Sequence, residues 1–142
     1  MRSILGVLLA LLLGVSGAGS ERRDVAASEN EFIIQVELDT AEPVCVLSCD
    51  YMLDGELMGS RTGFAADERS PLSKREYEIF EARDFPQGAA LDGFSIVFSL
   101  RNAFDGEDVP VENEISMPVE YGSTYVVRIS GDRENGYQVS KQ

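Results

Sequence analysis

Hydrophobic and polar positions alternate with a period of two through most of the chain from Glu31 onward. Phe32, Ile34, Val36 and Leu38 fall on one face, with Glu31, Gln35 and Glu37 on the other, the pattern of a half-buried strand. Only Ile33 spoils it. Val44–Leu53 reads as a second strand, Asp54-Gly55 as a two-residue type I′ turn, and Glu56–Ser60 as the return. With that turn Tyr51 pairs with Met58 and Met52 with Leu57. Cys45, Leu47, Cys49, Tyr51 and Leu53 then share the core face with Met58, and Val44, Val46, Ser48, Asp50 and Met52 share a mixed face. Residues 61–75 show no clean period and read as a long loop. Glu76–Glu81 is expected as a strand with Tyr77 and Ile79 inward, and Phe85 after it as a plug in the core. Phe94, Ile96, Phe98 and Leu100 alternate with Ser95, Val97, Ser99 and Arg101 in the cleanest strand of all. Val109–Val111 and Glu114–Val119 are shorter extended pieces whose prolines suit edges. Thr124–Ser130 and Tyr137–Ser140 complete the set.

Seven to eight mostly antiparallel strands, no amphipathic helix and no internal repeat predict an all-β fold: a single β-sandwich, immunoglobulin-like or prealbumin-like. The start of the chain follows another pattern. Met1-Arg2 precedes an apolar run from Ile4 to Leu13, and small residues follow with Ser16-Gly17-Ala18 as a cleavage tripeptide. That is the layout of a secretory signal peptide, and the run falls short of the roughly 20 residues that span a bilayer. The expected organisation is a signal peptide at 1–18, a mobile N-terminal lead at 19–30 and a β-sandwich domain at 31–142. The expected location is secreted or extracytoplasmic, with no membrane insertion after cleavage.

Composition narrows the chemistry. The 142 residues carry a net charge of −13, which opposes binding to nucleic acid. There is no histidine, so Ser-His-Asp and Cys-His nucleophile systems and histidine-based zinc sites are excluded. Two cysteines cannot build an all-thiolate zinc site. Cys45 and Cys49 lie four residues apart on one strand, about 13 Å in extended chain, beyond the ~7 Å that a disulfide tolerates. Both are expected to be free.

Two candidate sites remain. The 61–75 loop holds four of the twelve basic residues, and Arg61, Phe64, Arg69, Lys74 and Arg75 are its candidate contacts for an unknown protein or surface ligand. Asp105, Glu107 and Asp108, in one turn, are candidate calcium ligands, although the spaced Asp-x-Asp pattern of an EF-hand loop is missing. No cofactor is expected.

Pro118-Val119-Glu120-Tyr121-Gly122-Ser123-Thr124-Tyr125-Val126-Val127 resembles the entry into a late strand of immunoglobulin-like, fibronectin type III and Cna B-type sandwiches, and Gly136-Tyr137 resembles the closing hairpin of the last of these. The resemblance covers roughly the last quarter of the chain. It implies the fold class, the company of surface and adhesive proteins, and a tyrosine whose hydroxyl bonds backbone at a corner. The Lys–Asn or Lys–Asp isopeptide bond of many Cna B-type domains does not carry over, because the only lysines are Lys74 and Lys141 and neither lies on the first strand. The expected function is a non-enzymatic binding or structural module. The alternatives are a calcium-stabilised extracellular module and a small hydrolase using two carboxylates.

Overall fold

A computed structural model describes residues 26–65 and 71–142. The expected signal peptide and most of the lead lie outside the described residues, as does Arg69. The described chain is a β-sandwich. One sheet has the order β4-β1-β8-β9, and the other the order β3-β2-β5-β6, with β7 also on β5. The strands are β1 (Glu31–Thr40), β2 (Val44–Leu53), β3 (Glu56–Phe64), β4 (Arg75–Glu81), β5 (Phe94–Asn102), β6 (Val109–Pro110), β7 (Ile115–Ser116), β8 (Thr124–Asp132) and β9 (Gly136–Lys141). That makes nine where seven or eight were expected, the surplus coming from the two-residue strands β6 and β7. All pairings are antiparallel except β1 with β8.

The period-two reading holds along β1 and β5, which lie mid-sheet. Phe32, Ile34, Val36 and Leu38 of β1 and Phe94, Ile96, Phe98 and Leu100 of β5 are all buried in one core. Phe85 enters that core as expected, against Phe32, Tyr51, Phe80 and Phe94. Ile33, the residue out of phase, is buried on the outer side of its sheet. At the corner leading into β8, the Tyr125 hydroxyl accepts the Glu120 N–H at 3.0 Å.

The β2–β3 hairpin turns at Asp54-Gly55, with φ of 53° and 82°, the two positive angles that a type I′ turn requires. Its register differs from expectation. Met52 does face Leu57, but a bulge between Tyr51 and Met52 sets Tyr51 opposite Gly59 instead of Met58. Glycine is needed there: a Cβ on residue 59 would sit 2.6 Å from the Tyr51 hydroxyl. A second irregularity, between Val44 and Val46 where β2 meets β5, shifts the phase at the start of β2. Val44 therefore enters the core, and Cys45, expected on the core face, is only half-buried and outside it.

Strand β4 runs in the opposite phase to that expected. Phe80 is fully buried and Ile79 is 42 % exposed. Val36 faces Glu76, Ile34 faces Glu78 and Phe32 faces Phe80, so two glutamates share the core-facing side of β4 with Phe80. The expected loop is also shorter. Arg61 and Phe64 belong to β3, and Arg75 opens β4.

Candidate functional site

Strand β3 places Phe64 at its last position, on the outer side of its sheet in the same row as Val46 and Arg101. It remains 70 % exposed. Beside it opens a cavity of about 360 Å³ walled by Cys45, Val46, Ala65 and Ala103, with Arg101 and Asp105 also lining it. Phe104, 64 % exposed, follows Ala103 in the adjoining turn. The cavity has an apolar floor, an aromatic side and a charged rim, a combination suited to receiving an apolar side chain.

A hydrogen-bonded network holds this wall in place. Asn102, buried at the end of β5, accepts the backbone N–H groups of Phe104 and Asp105, both at 2.8 Å. Its amide donates to Asp105 at 2.8 Å and to the Tyr137 hydroxyl at 3.1 Å. Tyr137, fully buried on β9, donates in turn to Glu42 Oε1 at 2.5 Å. Burial and the hydrogen bond to Glu42 push the Tyr137 phenol up to about 12, so it remains a donor. Arg133 closes the ring: its guanidinium donates to Asp105 at 2.6 Å and its N–H to Glu42 at 3.1 Å. The Asn102 bond foremost, then Arg133, hold the Asp105 carboxyl below its ordinary value. The turn that walls the cavity is thus tied to both sheets.

The expected contact residues do not gather. Arg61 lies across the lateral opening of the sandwich, where β3 and β4 are the neighbouring edges. Its guanidinium donates to the Ile79 carbonyl, pairs with Asp84 at 2.9 Å and with Glu78 at 4.0 Å, and sits 4.3 Å from the centre of the Phe80 ring. Arg75 pairs with Glu37 at 3.9 Å. Lys74 lines a separate small hollow with Pro71, Leu72 and the β1–β2 turn. Two of the cations expected to face a partner are therefore held by carboxylates of the chain itself, while Phe64 and Lys74 remain exposed. The candidate calcium ligands are likewise dispersed: Asp105 is held by Asn102 and Arg133, Asp108 pairs with Arg101 at 3.1 Å, and Glu107 is exposed. Among the described residues no group of three or more His, Cys, Asp or Glu is placed to hold a metal ion.

Sequence reasoning missed Cys45 as a cavity residue and Asn102 as the anchor of the turn. Asn102 did carry a signal. An asparagine ending a clean strand before Ala-Phe-Asp-Gly is a residue type that bonds its own downstream backbone. Cys45 carried none, because its position depends on the irregularity beside it.

No family model matches the chain, and no curated protein does. Solved structures similar to it include the NMR structure of a protein from Eubacterium rectale, at 15 % identity and a TM-score of 0.42, covering 80 % of this chain and 89 % of that one. The membrane-binding domain of pneumolysin is similar at 10 % identity and a TM-score of 0.37, covering 79 % of this chain and 96 % of that one. Listeriolysin O is similar at 12 % identity and a TM-score of 0.37, with 79 % of this chain matched to 22 % of that one.

Proposed function

We propose that this chain is an extracytoplasmic, non-enzymatic binding module, and that its contact surface is the cavity beside Phe64. The observation that carries the reading is Phe64 itself. A large aromatic side chain, 70 % exposed, stands at the mouth of an apolar hollow whose far wall is tied down by buried hydrogen bonds. A rigid wall lowers the ordering cost of binding, and an exposed aromatic beside a pocket is the usual form of an energetic anchor. The partner is a macromolecule that offers an apolar side chain. The reading of a secreted protein comes from the apolar run Ile4–Leu13 and the small residues after it.

A photo-crosslinking residue placed at position 64 tests this. On cells or in conditioned medium it should capture a discrete macromolecular species. The same residue at Leu57, also well exposed but at the hairpin tip, serves as the control. Equal capture at both positions, or none at 64, would remove the pocket as the contact surface.

A further inference from the structure

An open β-sheet edge invites another strand, and proteins block such edges with side chains, bulges, short strands or inward charges. Four of the strands bordering this sandwich are blocked. On β9 the outward backbone groups belong to Tyr137, Val139 and, at the strand's end, Lys141. The Glu112 N–H donates to the Tyr137 carbonyl at 2.7 Å, and the Asn113 side chain donates to the Val139 carbonyl at 2.7 Å while accepting its N–H at 3.3 Å. On β4 the outward groups belong to Arg75, Tyr77, Ile79 and Glu81. Ser73 Oγ accepts the Arg75 N–H, Arg61 bonds the Ile79 carbonyl, and Asp84 accepts the Glu81 N–H at 2.7 Å, so that among the described residues only Tyr77 has neither outward group met and β4 is blocked on both sides of it. Strands β6 and β7 have two residues each.

Strand β3 is different. The Ala65 N–H donates to the Cys45 carbonyl, so by alternation Gly63, Arg61 and Gly59 turn their backbone groups toward β2, and Ser60, Thr62 and Phe64 turn theirs away. Among the described residues no hydrogen bond meets those outward groups. The bulge at Tyr51/Met52 confines the open stretch to the half of β3 that ends at Phe64.

The side chains beside this edge indicate what fits it. A strand added to β3 would set alternate residues beside Ser60, Thr62 and Phe64, and the intervening ones beside Arg61, toward the core-facing side of β4. The groups there are Glu76 and Glu78 of β4, Asp84 after it, and Arg61, which Glu78 and Asp84 already share. Carboxylates outnumber cations. A second copy of the chain is a poor occupant, since each copy carries −13.

We propose that β3 accepts, by strand addition, an extended segment of another protein that carries lysine or arginine at alternate positions. The proposal rests on the reading of this chain as a binding module and names how the partner's backbone would dock next to Phe64. Main-chain bonds to Ser60, Thr62 and Phe64 supply affinity, and cations reaching Glu76 and Glu78 supply selectivity. Burial raises the proton affinity of both glutamates, Glu78 against the opposing pull of Arg61, so an arriving cation relieves a cost the free protein carries.

The test uses the intact protein and a short acetylated peptide alternating lysine and valine, with a glutamate-for-lysine version as control. Saturating lysine peptide should slow amide exchange at Ser60, Thr62 and Phe64 by about tenfold or more, as pairing of an edge requires, and the glutamate peptide should not. Thr62→Pro removes one outward N–H and no ladder bond, and should weaken the lysine peptide about tenfold. Should that variant not fold, Glu76→Gln with Glu78→Gln should weaken the same peptide by a similar factor. Equal binding of both peptides, protection on β9 in place of β3, no protection at all, or affinity unchanged by the substitutions would overturn the proposal. Capture at position 64 with no protection on β3 removes strand addition and leaves the binding reading standing. Protection on β3 with no capture at 64 removes the cavity and leaves the edge.

Discussion

At two of the places where polar side chains join the two sheets, they do so with different chemistry. At the end of the sandwich, Asn102, Tyr137, Glu42, Asp105 and Arg133 form a network in which each member has a partner, with the phenol of Tyr137 and the amide of Asn102 at its centre. At the lateral opening, one guanidinium, Arg61, is shared by Asp84 and Glu78, with Glu76 farther along the same side of β4. The first arrangement has a buried centre of neutral donors, Asn102 and Tyr137, with the Asp105–Arg133 ion pair at its half-exposed rim. The second is half-exposed and short of positive charge. A network whose buried centre is neutral and satisfied costs little to bury and holds one geometry. A cluster with excess carboxylate holds its geometry only as far as its protonation or a visiting cation allows. That contrast separates a wall that must be rigid, behind the Phe64 cavity, from an edge that can respond to a partner.

The largest expected effect comes from breaking the network. Asn102→Ala removes the acceptor for two backbone N–H groups and leaves the Tyr137 hydroxyl without one of its partners. It should cost about 2–3 kcal/mol, the usual consequence of stranding buried polar groups. Urea denaturation decides it: the midpoint should fall with the slope unchanged.

A smaller effect should appear at the lateral opening, and it should depend on pH. Glu76 and Glu78 are raised above their ordinary value of 4.5, both chiefly by burial. The unfolded chain therefore gives up these protons first. Their destabilisation is absent below pH 4.5, grows above it and is complete once the folded carboxyls have also ionised. Asp105 and Asp132, held below their ordinary 3.8 by hydrogen bonds, act in the opposite sense, and their contribution is lost only as pH falls below 3.8. The melting temperature should rise as pH is lowered from 7 toward 4.5 and fall below 3.8. Glu76→Gln should stabilise the protein at pH 7 by roughly 1 kcal/mol after solvent screening, and flatten the rise. A melting temperature that drops steadily from pH 7 to 4.5 would show that the glutamates do not act this way.

The smallest effect is kinetic and uses one cysteine at each place. Cys45 lines the open cavity near Asn102, and Cys49 is buried on β2 opposite Arg61. Burial first, then the charge of Glu78, pushes the Cys49 thiol up to about 12. A thiol reagent should label the native protein once, at Cys45, and label Cys49 only on unfolding. Labelling at equal rates would mean that the lateral opening is not closed as described, and no labelling after unfolding without reductant would mean a disulfide.

The cysteines show where sequence reasoning reaches its limit. Cys45 is half-buried and Cys49 buried. Their shared place on the core face was expected from regular alternation, and a one-residue irregularity beside Val44 undid it. Strand β4 failed for a related reason. Reading its glutamates as solvent-facing put Tyr77 and Ile79 inside, yet β4 is an edge strand at an open side, where Glu76 and Glu78 point inward and Arg61 reaches across to meet Glu78. The candidate contacts failed in part because a basic residue in sequence is not a free cation in space. Arg61 and Arg75 were spent on acids from distant strands.

What the sequence determined by itself was the class and the best strands: a β-sandwich, the Asp54-Gly55 turn, and the buried faces of β1 and β5. These follow from local rules, since a two-sided mid-sheet strand must alternate and a tight hairpin needs positive φ at both central positions. Only the tertiary structure decided the phase at the edges, the partners of each charge and the opening beside Phe64. Those depend on which strand lies next to which far along the chain, and on single-residue bulges whose cost and benefit are settled by packing, which no local pattern records.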